Sequence, residues 1–332
     1  MAKSTIKHIG VIGTGSWATA LVKVLTENEY TINWYFHKPT TVNKIKQSKC
    51  NPKYLSDITL RTEKINFYTQ LDEFICRSDV LLFAIPSAFF LKVFSSSICL
   101  KEKILVSAVK GILPEYNQTV SEYFVKTLNI SEKNIVIISG PSHAEEVANK
   151  KETYLTFSSR HNVTAQNIGQ LFQTDYIHIH FSDDVKGAEY AAVLKNVFAI
   201  GIGIAYGLGY GDNFIAILLS RAAKEMHAFL QALHLSERDF LSASYLGDLV
   251  VTAYSKHSRN RRLGYYIGQY GDVEKALSKM KMVAEGYYNA KSIHLKNKEL
   301  SVSLKFAEKV FLILFHAKSP EQTFMEIEKF LN

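Results

Sequence analysis

The chain is poor in cysteine. Its 332 residues hold three, Cys50, Cys76 and Cys99. An odd count at wide spacing, with no Cys-x-x-Cys pair, fits neither a disulfide framework nor a zinc site. The expected setting is a reducing cytoplasm, with no metal. Long apolar runs are also scarce. The longest uncharged stretch, Asn196–Gly211, is broken by glycines and ends at Asp212. It falls short of the ~20 apolar residues of a spanning helix, so no membrane insertion is expected. Near the start, the apolar run Ile9–Ile12 is interrupted by Gly10, which is not a leader peptide. The closing Phe330-Leu331-Asn332 is not a peroxisomal address. Internal repeats and low-complexity linkers are missing too.

What is present is ordinary globular composition, 47% hydrophobic and 21% charged. That excludes a disordered tail protein and a collagen-like repeat. At ~150 residues per domain, the length suggests two domains. The one unusual quantity is a net charge of +8, from 39 Lys and Arg against 31 Asp and Glu. Such an excess suits nucleic acid, an anionic membrane surface, or small acidic ligands.

The first half alternates short β-rich runs with helical stretches. Expected strands are Ile6–Ile12, Thr31–Phe36, Ile65–Tyr68, Val80–Ile85, Ile104–Ala108, Ile135–Ser139 and Tyr154–Ser158. Helical patterns such as Trp17–Glu27 and Val120–Leu128 lie between them. This alternation predicts a parallel-rich α/β sheet. From about Asp183 the period changes to long helical patterns, among them Asn213–His234 and Pro320–Phe330. The expected domains are thus residues 1–184, α/β, and residues 185–332, all-helical.

The first chemical signal is Gly13-Thr14-Gly15-Ser16-Trp17-Ala18, a G-x-G-x-x-A loop between an apolar strand and a helix. Gly13 permits a tight turn, Gly15 lets backbone N–H groups approach a pyrophosphate, and Ala18 keeps helix and strand close. The bland alternative is a tight turn in another α/β fold. The second strand is followed by His37-Lys38 rather than by the acid that binds a ribose 2′-hydroxyl. That favours NADP, or use of both NADP and NAD; both side chains could equally point to solvent.

From Ala191 to Gly211 the only charged residue is Lys195. A desolvated ammonium has its pKa drawn toward neutrality, which suits a proton donor and acceptor beside a carbonyl. The alternative is a lysine that snorkels to solvent. Lys110 follows a strand, and Gly140 and Ser142 follow another, where the carboxyl ends of strands face ligand in such sheets. Each could also be a plain loop or capping residue. Lys256–Arg262 is the densest basic patch, and within it Ser258, Arg259 and Asn260 form a compact set of anion donors. Other basic residues are scattered among acids, so nucleic acid is not the expected partner. Asp248 is an acid in an apolar setting; it could hold a lysine or a substrate hydroxyl, or cap a helix.

Together these segments resemble the bacterial-type NAD(P)-dependent glycerol-3-phosphate dehydrogenases. The resembling blocks run in the family's order over nearly the whole chain: Gly13–Ala20, Asn51–Leu55, Val109–Ile112, Gly140–Ala148, Leu194–Asn213, Leu246–Thr252, Ser255–Gly264 and Val283–Gly286. The resemblance implies a Rossmann domain followed by an all-helical domain. It implies reversible reduction of dihydroxyacetone phosphate to sn-glycerol 3-phosphate, feeding phospholipid synthesis. Lys195 would be the proton donor and acceptor, and Lys110 would touch both substrate and cofactor. Gly13, Gly15, Ser16, Trp17 and His37 would line the dinucleotide, with Ala144, Val283 and Glu285 closing on it. Gly140, Ser142, Asp248, Ser258, Arg259 and Asn260 would hold the small phosphorylated substrate, and Arg259 would reach the cofactor as well. A homodimer is compatible with such a chain. Three positions depart from the family pattern: Ser242–Leu246 is less glycine-rich, His143 stands where Phe is common, and His37 replaces a more frequent Arg. Rival expectations are a two-domain β-hydroxyacid or sugar-acid dehydrogenase and a non-catalytic dinucleotide sensor.

Overall fold

The computed structural model describes residues 6–93, 100–233 and 238–331. Cys99, His234 and Asn332, named above, lie outside them. Eight strands form one sheet: β1 (Ile9–Ile12), β2 (Ile32–Tyr35), β3 (Ile65–Tyr68), β4 (Val80–Phe83), β5 (Ile104–Ser107), β6 (Ile135–Ser139), β7 (Thr153–Ser158) and β8 (Ile177–Ser182). Their order is β3-β2-β1-β4-β5-β6-β7-β8. The central strands are short apolar runs, and β1, β4 and β6 are buried along their whole length. Burial on both faces is what a parallel sheet covered by helices requires. Ile9 sits in register with Ile32 on one side and Val80 on the other. The β6–β7 pair alone is antiparallel among the described pairings.

Seven of these strands overlap those expected. The eighth, β8, alternates Ile177, Ile179 and Phe181 with His178, His180 and Ser182. It is the sheet's edge strand and only Ile177 is fully buried, so it lacks the continuous apolar run of its neighbours.

The chain divides into two compact units. The first takes residues 1–85, 89–109 and 120–185, and the second takes 86–88, 110–119 and 186–332. The first unit's core packs the sheet against flanking helices around Leu21, Trp34, Val106 and Phe157.

The second unit is helical. Its longest helix, Val185–Gly207, has 23 residues. By length and composition it could cross a membrane, yet its most apolar window is wholly buried within the protein, as a core helix is. Glycines let a second helix, Arg259–Tyr270, pack backbone against backbone on it. A Cβ at Gly203 would lie 2.1 Å from the Arg261 carbonyl oxygen, and one at Gly264 would lie 2.0 Å from that of Ile200. The helix Asp212–Ala232 buries Ile215, Leu218, Ala222, Met226 and Phe229 on one helical face. It also carries the buried Glu225. That carboxylate accepts from the N–H of Phe306 (2.8 Å) and Ala307 (3.1 Å) and from Arg221 Nε (2.7 Å). A side chain from one helix thus satisfies buried N–H groups at the start of the helix Lys305–Phe315, which have no partner within their own helix.

Candidate active site

In the first unit the helix Ser16–Glu27 starts at Gly15, which contributes no side-chain cap. No side chain caps the start of that helix, where the helix dipole favours an anion. Gly13 has φ +127°, and a Cβ there would lie 2.3 Å from the Ala84 carbonyl oxygen. No other residue fits that turn. Around Gly15 the position of a missing Cβ faces open space. Ser16 and Trp17 stand half-buried on the first helical turn, and His37 is exposed two residues beyond β2. A tight turn, an open backbone cradle and uncapped N–H groups fit a dinucleotide pyrophosphate. Past β6, Gly140 is buried with φ +106°, and Ser142 Oγ donates to its carbonyl at 3.0 Å. Ala144 is buried at the start of the short helix Ala144–Ala148.

The titratable groups gather in the second unit. Lys195 is 3% exposed and forms an ion pair with Asp248, which is 1% exposed. Asp248 follows a single π-turn, Ala243–Gly247, which overlaps the segment Ser242–Leu246 that departs from the family pattern. Such turns re-aim a helix and recur at functional sites. Burial draws the Lys195 ammonium down to about 7; Asp248 resists that fall and the nearby Lys110 ammonium adds to it. A lysine tuned there exchanges protons readily at neutral pH.

Buried carboxamides fix Lys110 through its backbone. The Lys110 carbonyl accepts from Asn196 Nδ2 (3.0 Å) and Asn289 Nδ2 (3.1 Å). Asn196 Oδ1 accepts from Asn260 Nδ2 (2.8 Å), and Asn260 Oδ1 accepts from the N–H of Gly286 (2.9 Å). The chain of bonds ties the Lys110 segment to the starts of helices Arg259–Tyr270 and Glu285–Leu300 and to the Lys195 helix. Two buried acceptors beside it, Asp248 Oδ2 and Asn289 Oδ1, are unfilled among the described residues. A buried polar atom without a partner costs about 1–3 kcal/mol, so these two acceptors favour a ligand that donates hydrogen bonds.

Glu285 sits at the other side of the Lys110 segment. A Cβ on Gly111 would lie 2.2 Å from Ser87 Oγ and 2.6 Å from Glu285 Oε2, so only glycine allows this approach. Burial raises the Glu285 carboxyl, while Arg259, Ser87 and Lys110 hold it down. Val283 lies half-buried just ahead of Glu285. Ser258 is the N-cap of its helix, accepting from the Arg261 N–H at 3.2 Å. Its hydroxyl therefore already has structural work. The surrounding Lys256, His257 and Arg262 are solvent-exposed.

The second unit thus brings together Lys110, Lys195, Asp248, Arg259, Asn260 and Glu285. The glycine loop, His37, Gly140, Ser142 and Ala144 belong to the first. Sequence reasoning missed Ser87, Asn196 and Asn289 here. A polar amide in an apolar helical setting, as in Leu194-Lys195-Asn196-Val197, was the available signal. No group of three His, Cys, Asp or Glu able to hold a metal occurs among the described residues.

Residues 8–165 match the family model of the NAD-dependent glycerol-3-phosphate dehydrogenase N-terminus, and residues 184–325 match that of its C-terminus. The chain belongs to the NAD-dependent glycerol-3-phosphate dehydrogenase family. A glycerol-3-phosphate dehydrogenase [NAD(P)+] of Listeria monocytogenes is 37% identical over 321 residues, 96% of this chain and 95% of the relative. The enzyme of that name from Oceanobacillus iheyensis is 34% identical, covering 98% of this chain and 94% of its own length. The crystal structure of a Coxiella burnetii member superposes with a TM-score of 0.88 at 25% identity, covering 97% of this chain and 98% of that one. A Ralstonia eutropha ketopantoate reductase, at 13% identity and a TM-score of 0.57, shares the fold alone. Membership in the family makes the chain an NAD(P)-dependent oxidoreductase acting on a CH–OH group.

Proposed function

We propose that the protein interconverts dihydroxyacetone phosphate and sn-glycerol 3-phosphate with NAD(P), supplying glycerol 3-phosphate for glycerophospholipid synthesis in the cytoplasm. The observation that carries this reading is the buried Lys195–Asp248 pair beside Lys110, with Lys195 drawn to about 7. The dinucleotide, when bound, supplies hydride chemistry at its nicotinamide C4, directed at the substrate carbonyl carbon. Lys195 Nζ gives its proton to the carbonyl oxygen in reduction and takes it back from the hydroxyl in oxidation. Asp248 holds that ammonium in place and offers Oδ2 to a substrate hydroxyl. Lys110, fixed through its carbonyl by Asn196 and Asn289, adds a second positive charge where oxyanion character develops. Arg259 and Asn260, at the start of their helix, hold the phosphate with Ser258, Gly140 and Ser142 as further contacts. Gly13, Gly15, Ser16 and Trp17 hold the pyrophosphate end, with His37, Ala144, Val283 and Glu285 as the remaining cofactor contacts. His37 and Lys38, in place of an acid after β2, favour NADP over NAD.

The test is an absorbance assay with dihydroxyacetone phosphate, run with NADH and NADPH in parallel. Oxidation of either cofactor is expected, faster with NADPH. Turnover of a hydroxyacid's keto form instead, with none of dihydroxyacetone phosphate, would overturn the substrate assignment.

A further inference from the structure

The back of the glycine loop is as ordered as its open front. Three consecutive carbonyls of the loop are each held by a buried side chain. Trp34 Nε1, from β2, donates to the Gly13 carbonyl at 2.7 Å. Asn51 Nδ2 donates to the Thr14 carbonyl at 3.0 Å and with its other hydrogen to Thr19 Oγ1 at 2.8 Å. Thr19 Oγ1 in turn donates to the Gly15 carbonyl at 2.9 Å. Trp34 and Thr19 are fully buried and Asn51 nearly so. The indole is wedged against Phe36 and Phe67. Asn51 is itself anchored, its carbonyl accepting from the N–H of Tyr54 and Leu55.

These bonds dictate where the loop's donors point. In a trans peptide the C=O of one residue lies opposite the N–H of the next. Carbonyls of Gly13, Thr14 and Gly15 drawn into the protein turn the N–H groups of Thr14, Gly15 and Ser16 the other way. At Gly15 a Cβ would meet nothing within 4 Å, so the loop backbone is open to a ligand there. We propose that Trp34, Asn51 and Thr19 are positioning residues for the cofactor, pre-aiming three backbone N–H groups at its pyrophosphate. The proposal rests on the loop being a dinucleotide site. Its energetic content is preorganisation: a loop already fixed in its bound shape loses less freedom when the anion arrives. The G-x-G-x-x-A spacing does not encode the Trp34 and Asn51 bonds, because these donors lie 21 and 37 residues downstream of the carbonyls they hold; only Thr19, four residues on, is local.

The purely structural alternative is that Trp34 fills the core and its N–H takes the nearest carbonyl. A ligand pair separates the two. Dissociation constants for NADH and NADPH are measured on the full-length protein by nicotinamide fluorescence, and adenosine, which lacks the pyrophosphate, is measured by displacement. Trp34→Phe keeps a ring and removes the donor. The expected result is about tenfold weaker dinucleotide binding, equivalent to ~1.4 kcal/mol, with adenosine changed by less than about twofold. Thermal unfolding shows whether each variant is folded. Should Trp34→Phe fail to fold, Thr19→Val, nearly equal in shape, carries the same expectation at a smaller, roughly threefold, weakening. Unchanged dinucleotide binding in a folded variant overturns the proposal, and so does equal weakening of adenosine. Wild-type protein that binds neither dinucleotide would remove the dinucleotide reading itself, and the proposal with it.

Discussion

The two units build their functional groups from different materials. In the first, the glycine loop proposed for the cofactor is backbone: N–H groups, glycines, and side chains that hold its carbonyls. In the second, the chemistry is side-chain: an ammonium, a carboxylate, three carboxamides and a guanidinium, on segments far apart in sequence. The contrast extends to what glycine does. Gly13 is required for its backbone conformation, whereas Gly203 and Gly264 are required for helix contact. A backbone site depends on the buried groups that hold it and tolerates changes in exposed side chains. A side-chain site fails with one atom.

The sharpest test of that contrast is Lys195→Met. General acid–base help is worth about 10²–10⁴-fold, so kcat should fall by that range while the dissociation constant for NADPH stays within about twofold. Comparable losses in both quantities would mean that the lysine organises the fold rather than the reaction. The next largest effect concerns stability and separates two buried acids of the same unit. Asp248 faces Lys195, while Glu225 is consumed by two backbone N–H groups and Arg221. Glu225→Leu strands those donors and should cost about 3–5 kcal/mol, read as a lower midpoint in chemical unfolding. Asp248→Asn leaves the buried Lys195 without its anion, so a smaller fall in that midpoint should accompany its main effect, a lower kcat. If the two substitutions exchange their effects, the division of roles is wrong.

A smaller but diagnostic effect is the pH profile. Lys195 ionises at about 7 in the folded protein against a reference of 10.5. Reduction needs the protonated amine, so its rate should be level below pH 7 and fall about tenfold per unit above it. Oxidation should show the mirror image, rising up to about pH 7 and levelling beyond. Stability follows the same shift. Between pH 7 and 10.5 the unfolded chain binds the extra proton, so this lysine makes stability rise with pH across that window. Lys195→Met should flatten that rise, and an unchanged slope would reassign the titrating group.

How much of this was legible beforehand follows the same division. The glycine loop is contiguous, so its turn and its helix could be read from six residues. The strands of the buried sheet announced themselves as apolar runs. The edge strand β8 did not, because half of its side chains are exposed and its histidines blur the pattern. The lysine centre was visible only as an isolated charge and through family resemblance. Asn196 and Asn289 meet the Lys110 carbonyl across 86 and 179 residues, and no local period encodes such a pairing. Trp34 looked like any core aromatic in a strand. Its donated hydrogen bond depends on where Gly13 lies after folding.

The smallest effect tests the contrast from its quiet side. Both units bury side-chain atoms that lack a hydrogen-bond partner among the described residues. In the second unit two of them, Asp248 Oδ2 and Asn289 Oδ1, stand beside the lysine centre. In the first unit Ser158 Oγ lies at the end of β7, in a residue with no exposed surface. If the first unit works through its backbone, that hydroxyl is only a desolvated group left unpaired, and removing it should cost nothing. Ser158→Ala deletes one polar atom and leaves the strand's ladder untouched. The lost desolvation penalty and the small void oppose each other, so the expected change is between zero and about 1 kcal/mol of added stability. Kinetic constants should be unaltered. A loss of more than about 1 kcal/mol, or a raised KM for either ligand, would show that the first unit uses a further side chain beyond those already named.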